Sequence, residues 1–262
     1  MSLILRKDPI IEAVCEFQLD APDWDLTVPG AVYGRIQGRF PEKRQVPHVD
    51  FQVEETPEGI SPSVQTSVGR MQFHNRETKQ LVQVGPQHFS VHQFKPYTGW
   101  PNYKALIEEV LADYESVAPF QAIRAMSLRY TNQIPLPNAS IKFEHVLRVM
   151  PQIPDSTDQI WTSWFQQVEI FKPDLEATLG VRSGYFPAVR ASEPPLPLEN
   201  LPTQHVMFDL LFVHVGGQPI ERASVSDWLE TAHEEIEKLF FDSIMENYLP
   251  NFGPEVKTDD AN

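Results

Sequence analysis

The stretch His233-Glu234-Glu235-Ile236-Glu237 sets an imidazole and a carboxylate one helical turn apart, the spacing at which two side chains share one face and one ligand. A zinc-protease helix needs His-Glu-x-x-His, two imidazoles with a carboxylate base among them. Here Glu237 replaces the second imidazole and no third ligand is suggested by spacing, so no metal and no other cofactor is expected. His233 lies beside apolar Ala232 and Ile236, a setting that favours a structural hydrogen bond to a neighbouring strand. His88 and His92 share a strand face, but four residues of extended chain hold them roughly 13 Å apart, too far to chelate one ion. His74, on a neighbouring strand, joins them in what reads as a solvated face. The best polar candidates lie on one further strand. Alternation puts Tyr130 and Asn132 on one side and Arg129 on the other, so the three cannot line a single pocket. Arg129, Tyr130, Asn132 and His233 are therefore the candidate ligand-binding residues, and no residue is assigned a catalytic role.

Other chemistry is thinner. Cys15 is the single cysteine; it sits in a strand-like run and reads as a small buried hydrophobe in a reducing compartment. The sequence has no Gly-x-Ser-x-Gly elbow, Walker loop, Gly-x-Gly-x-x-Gly turn or paired cysteines, although scattered carboxylates would leave no local signature. The formal charge of −15 repels a phosphate backbone and makes nucleic acid an unlikely partner. Stacking of RNA on a sheet face would need a basic stripe, which the chain lacks. No apolar run approaches the ~20 residues of a membrane span, and Asp8, Pro9 and Glu12 interrupt the N-terminal stretch too early for a signal peptide, so a cytoplasmic location is expected.

The elements that must hold these residues follow from periodicity. Ile11, Ala13, Cys15, Phe17 and Leu19 alternate with polar residues and predict a half-buried strand. A short helix follows Thr27 and stops at Pro41, with Val32, Ile36 and Phe40 on one face. Beyond a Pro-rich, acidic connection over 50–62, strands are expected at 70–74, 80–84 and 88–94, joined by turns short enough for hairpins. Trp100 to Val117 then carries Tyr103, Leu106, Ile107, Val110, Leu111 and Tyr114 as one apolar stripe. The order repeats: a strand from Ala122, a short helix over 141–150, strands at 159–171, 175–185 and 205–215, and an amphipathic helix from Val225 to Tyr248. The expected fold is α+β, two related β-α-β-β-β-α halves at 1–119 and 120–250, each with an antiparallel sheet and a long closing helix, followed by an acidic tail at 251–262. The Pro-rich stretch 187–203 reads as an extended surface crossover, or as a lid. Trp161 and Trp164, near Phe165, suggest an exposed docking face.

Four stretches together resemble a known family: Pro9 to Phe17 (PIIEAVCEF), Arg39 to Lys43 (RFPEK), Leu128 to Asn132 (LRYTN) and Trp228 to Glu234 (WLETAHE). They are similar to a sporadically distributed family of prokaryotic proteins of about this length with no assigned function. The resemblance implies a soluble prokaryotic protein spread by horizontal transfer, as defence, toxin-antitoxin and mobile-element cargo are. It supplies no active site. Thr131 and Gln133 stand where similar proteins more often carry an aliphatic residue and an arginine, so no role resting on a basic group there is carried over. The expectation is a non-enzymatic binding or regulatory protein that engages a protein partner through its sheet faces, or a second copy of itself through a sheet edge or helix face. The alternative is an enzyme or nucleotide-sensing module with its pocket between the halves.

Overall fold

The computed structural model describes residues 3–22, 24–56, 59–136, 142–152, 163–185 and 204–256. The chain is α+β. Strands β1 (Leu3–Leu5) and β2 (Ile10–Asp20) lead into helix α1 (Val28–Ile36). Strands β3 (Glu42–Thr56), β4 (Gly59–Asn75), β5 (Gln80–Gly85) and β6 (His88–Phe94) precede helix α2 (Trp100–Glu115). Strands β7 (Ala122–Leu136), β8 (Trp164–Lys172), β9 (Ala177–Tyr185) and β10 (Gln204–His214) precede helix α3 (Val225–Ser243), and β11 (Pro254–Val256) follows. β1 pairs with β11; the other strands form one nine-stranded sheet in the order β3-β4-β5-β6-β2-β7-β10-β9-β8, with every neighbouring pair antiparallel.

The central pairing is β2 with β7, in register from Glu12 opposite Thr131 to Gln18 opposite Ala125. Period-two alternation then sorts the side chains. Ala13, Cys15, Phe17 and Leu19 of β2 and Met126, Leu128, Tyr130 and Ile134 of β7 are buried on one face. That face receives all three helices: Tyr33 of α1 stacks on Phe73, Tyr114 of α2 meets Phe89, and Trp228 and Phe240 of α3 meet Phe212 and Phe208. The helices bury their apolar stripes and leave no helix on the opposite face among the described residues. Gly99, at φ +88°, adopts a conformation an L side chain rarely takes, and it turns the chain from β6 into α2 so that Trp100 falls in the first helical turn.

Five expectations are corrected. The stretch 50–62 is not a connection: β3 and β4 pair from Glu42 opposite His74 out to Thr56 opposite Gly59, while β5 pairs only with the Met71–Asn75 end of β4. The rest is a two-stranded ribbon, where Pro47 and Pro62 are tolerated because a missing N–H can face outward from either strand. The helix expected over 141–150 is reduced to a 3-10 turn at Phe143–His145, after which Leu147 bridges to Ile244. Two separate sheets are replaced by one, because β2 and β7 pair directly. α3 also stops at Ser243, before the expected Tyr248, whose hydroxyl donates to the Pro135 carbonyl. Residues 251–256, within the stretch expected as an acidic tail, include buried Phe252 and strand β11. The 187–203 stretch and Trp161 lie outside the described residues.

Phe17 is fully buried between the β6 and β7 strands and contacts Phe89. Phe17→Ala is expected to cost about 3–5 kcal/mol, while its exposed neighbour Gln18→Ala stays within about 0.5 kcal/mol, both read from urea unfolding midpoints.

Candidate functional site

Alternation along β7 sends the candidate residues to opposite sides of the sheet. On the helix side, Tyr130 lies under the junction of α2 and α3. Its hydroxyl is 3.1 Å from that of Tyr97 and 3.2 Å from Nδ1 of His233. The His233 ring stacks on Trp100, centroids 4.3 Å apart and planes 14° apart. Trp100 Nε1 donates to Glu230 at 2.8 Å, and Lys104 Nζ donates to the same carboxylate at 2.7 Å. Residues from β7, α2 and α3 are thus tied by two hydrogen-bonded groups joined through the His233–Trp100 stack. Burial drives the His233 imidazole down to about 4, with Glu230 pulling the other way. The ring is therefore neutral at physiological pH, and an accepting Nδ1 fits Tyr97 donating to Tyr130 and Tyr130 to His233. Burial also raises the Tyr130 hydroxyl well above its ordinary value. Burial raises the Glu230 carboxyl as well, but hydrogen bonds from Lys104 and Trp100 carry it below its usual range.

Asn132 is buried nearby, and its amide donates to the Phe208 carbonyl at 3.0 Å and lies 3.5 Å from that of Tyr130. Its donors are spent on the backbone of β7 and β10. The structure thus brings Tyr130 and His233 together, seats Asn132 in the sheet, and sends Arg129 elsewhere.

Arg129 faces the open side. Its Nε donates to Asp209 Oδ1 at 2.6 Å, Thr131 Oγ1 donates to the same oxygen at 3.0 Å, and Arg182 lies 3.7 Å from Oδ2. The hydrogen bond to Asp209 raises the Arg129 guanidinium further above its ordinary value. Beside this cluster, His88 Nδ1 is 2.9 Å from Glu16 Oε1, and His92 bridges Glu12, Gln83 and Ser90 at 2.9–3.0 Å. The hydrogen bond with His88 holds the Glu16 carboxyl below its usual range. His88 Nε2 is buried and has no hydrogen-bond partner among the described residues. The expected solvated histidine face is accordingly part of a paired polar surface, with His92 only 8% exposed.

This surface is concave. A groove of about 530 Å³ runs over Glu16, Arg70, His88, Ser127, Arg129 and Arg182. A smaller depression of about 220 Å³ adjoins it across Arg182, over Thr178, Gly180 and Asp209, and reaches Gln167 and Glu169 of β8. The larger groove straddles the β2–β7 seam. Sequence reasoning missed Asp209 and Arg182, because their approach to Arg129 comes only from the β7–β10–β9 register, Arg129 opposite Leu211 and Asp209 opposite Arg182. Isolated strands do not show it. Among the described residues no group of three or more His, Cys, Asp and Glu is placed to hold a metal, and no helix is long and apolar enough to cross a membrane. No protein-family model matches the chain, and no curated protein matches it.

Two shifted groups oppose one another in their pH dependence. Burial pushes the Asp8 carboxyl from 3.8 up to about 6, against the pull of the Ile10 N–H and Lys95. A carboxyl raised on folding stabilises most below its unfolded value, and that contribution is lost as pH rises through about 6. An imidazole depressed on folding acts in reverse, and its contribution is lost as pH falls from 6.5 through about 4. The windows overlap with opposite signs and largely cancel. Asp8→Asn keeps an oxygen for the Ile10 N–H; it is expected to add about 2–3 kcal/mol at pH 7 and to leave a protein that loses stability below pH ~6.5. His233→Gln is expected to leave one that gains stability as pH falls from about 6 to 4. Urea unfolding across pH 4–7.5 reads both, and identical pH profiles for variants and parent would contradict the assignment.

Proposed function

We propose that this chain is a non-enzymatic binding or regulatory protein that seats a protein partner on the open face of its sheet. The observation that supports this is the one-sided covering of the sheet: three helices bury one face, and the other presents a groove whose polar side chains are already paired in position. Arg129 is fixed by Asp209, so it contributes shape and charge at little further ordering cost. Arg182 and Arg70 keep donors for the carbonyl or carboxylate oxygens of an incoming segment. The net charge of −15 favours partners with a basic overall surface, with the groove's arginines supplying local register.

On the resemblance to the sporadically distributed prokaryotic family, such a binder would act in the cytoplasm, in a defence or toxin-antitoxin setting. The mirrored strand orders β2-β6-β5-β4 and β7-β10-β9-β8 support reading the chain as a duplicated unit, with halves at 1–119 and 120–250 meeting at the β2–β7 pair. In each stretch the first strand is central and the last strand before the closing helix pairs beside it. The groove across that seam is also where an enzyme or nucleotide sensor would hold its ligand, and the same experiment separates the two.

Among the described residues Arg182 makes only a long ion pair with Asp209, its own side chain 39% exposed, so Arg182→Ala is expected to cost less than about 1 kcal/mol in stability. Partner capture from the source cells, repeated with purified partner by calorimetry, is expected to show at least tenfold weaker binding for Arg182→Ala and unchanged binding for Arg76→Ala on the exposed β4–β5 turn. Equal affinity for parent and Arg182→Ala, or chemical turnover of a bound small molecule, would overturn the reading.

A further inference from the structure

The two edges of the nine-stranded sheet are built differently. Edge strand β3 opens with exposed Glu42, Lys43 and Arg44 and breaks its register between Val46 and Pro47, all devices that keep another strand from adding. Edge strand β8 has neither proline nor bulge, and it pairs with β9 without interruption from Trp164 opposite Tyr185 to Lys172 opposite Ala177. Phe165 and Phe171 are 58% and 59% exposed, and Val168 and Ile170 are each 41% exposed. These are four of the six large hydrophobic residues most exposed among the described ones, gathered on one strand. Such an edge is either a hazard or an interface.

We propose that β8 pairs antiparallel with β8 of a second copy of this chain, with Val168 on the two-fold axis. The strand is self-complementary about that residue. Centred there, Phe165 meets the second copy's Phe171, Gln166 meets Ile170, and Gln167 meets Glu169, twice each by symmetry. Opposed residues fall on the same sheet face, because their numbers have the same parity. The two Phe pairs lie on the open face with Gln167 and Glu169, which are already hydrogen bonded within one copy at 2.9 Å. No like charges stand opposite one another.

Charge argues for this seam above others. Two molecules of net charge −15 repel, so a second copy must approach where the local charge vanishes, and Glu169 and Lys172 are the only charged residues of β8 and cancel. The pairing also has a consequence for the open face. The smaller depression ends at Gln167 and Glu169 on this edge, so the second copy's β8 would wall its unfinished side, and the two grooves would run on across the axis. This dimer stands independently of what the groove holds.

Light scattering after size exclusion is expected to return twice the 30.0 kDa chain mass for the parent. Phe165→Glu with Phe171→Glu is expected to weaken association at least 30-fold with an unchanged melting temperature, since both side chains are more than half exposed. Register is read by cysteine: with Cys15 fully buried, Val168→Cys should cross-link to a dimer with a short bis-maleimide. Phe165→Cys should not, because its own copy lies six residues away along the paired strand, about 20 Å. A monomer at all concentrations to 100 µM, a dimer undisturbed by the double glutamate variant, or equal cross-linking at both cysteines would each overturn the proposal.

Discussion

The antiparallel pairing of β2 with β7 is the constraint on which the other features rest, because it joins segments more than a hundred residues apart into one sheet. On either side of it the strands run outward in mirrored order, β6-β5-β4-β3 and β10-β9-β8, so each long helix returns over the strands next to the seam. That placement brings α2 and α3 together above Tyr130. It also explains why the contact between the helices is polar: Trp100, Lys104, Glu230 and His233 meet where both apolar stripes turn down into the sheet. A half-buried, neutral histidine stacked on an indole and bonded to Tyr130, which in turn meets Tyr97, fixes the helix positions with directional contacts that aliphatic packing would leave looser.

Much of this was legible in the residues. The two amphipathic stripes are legible because they repeat over several turns, although the second stripe continues past the helix end at Ser243; β2 and β7 are legible from alternation, and β5 and β6 from short apolar runs between turn residues. Asp50 to Pro62 reads as a connection because proline and acidic residues usually break strands, whereas a ribbon that projects past its sheet leaves half its backbone donors facing outward anyway. The 141–150 helix failed for the opposite reason. Its apolar residues Phe143, Val146 and Leu147 have helical spacing, but they are held by tertiary contacts, with Arg148 N–H donating to Ser243 and Met245 N–H to Val146.

The candidate site divides in the same way. That Arg129 and Tyr130 face apart follows from adjacency on a strand, and that His233 makes a structural hydrogen bond follows from its place beside the buried stripe. Their partners do not follow. Tyr97 reaches Tyr130 from the β6–α2 connection, and Asp209 reaches Arg129 from a strand eighty residues later, so both pairings depend on a sheet order that local patterns leave open.

The same alternation that builds the core also aims the groove. On β7, Leu128 and Tyr130 are locked beneath the helices while Ser127, Arg129 and Thr131 project between them on the other side. A slip of one residue would exchange the two sets, burying a guanidinium and exposing a tyrosine, at a cost far above what any surface contact returns. The arginines of the open face therefore inherit their positions from neighbours one step along the chain, and Asp209 needs only to hold Arg129 in one rotamer within that frame. A groove built this way needs no supporting layer beneath it, since the far side of each strand already supplies one. Phe17 and Met126 of the helix face lie directly beneath the groove, so repacking that face would disturb the groove from below.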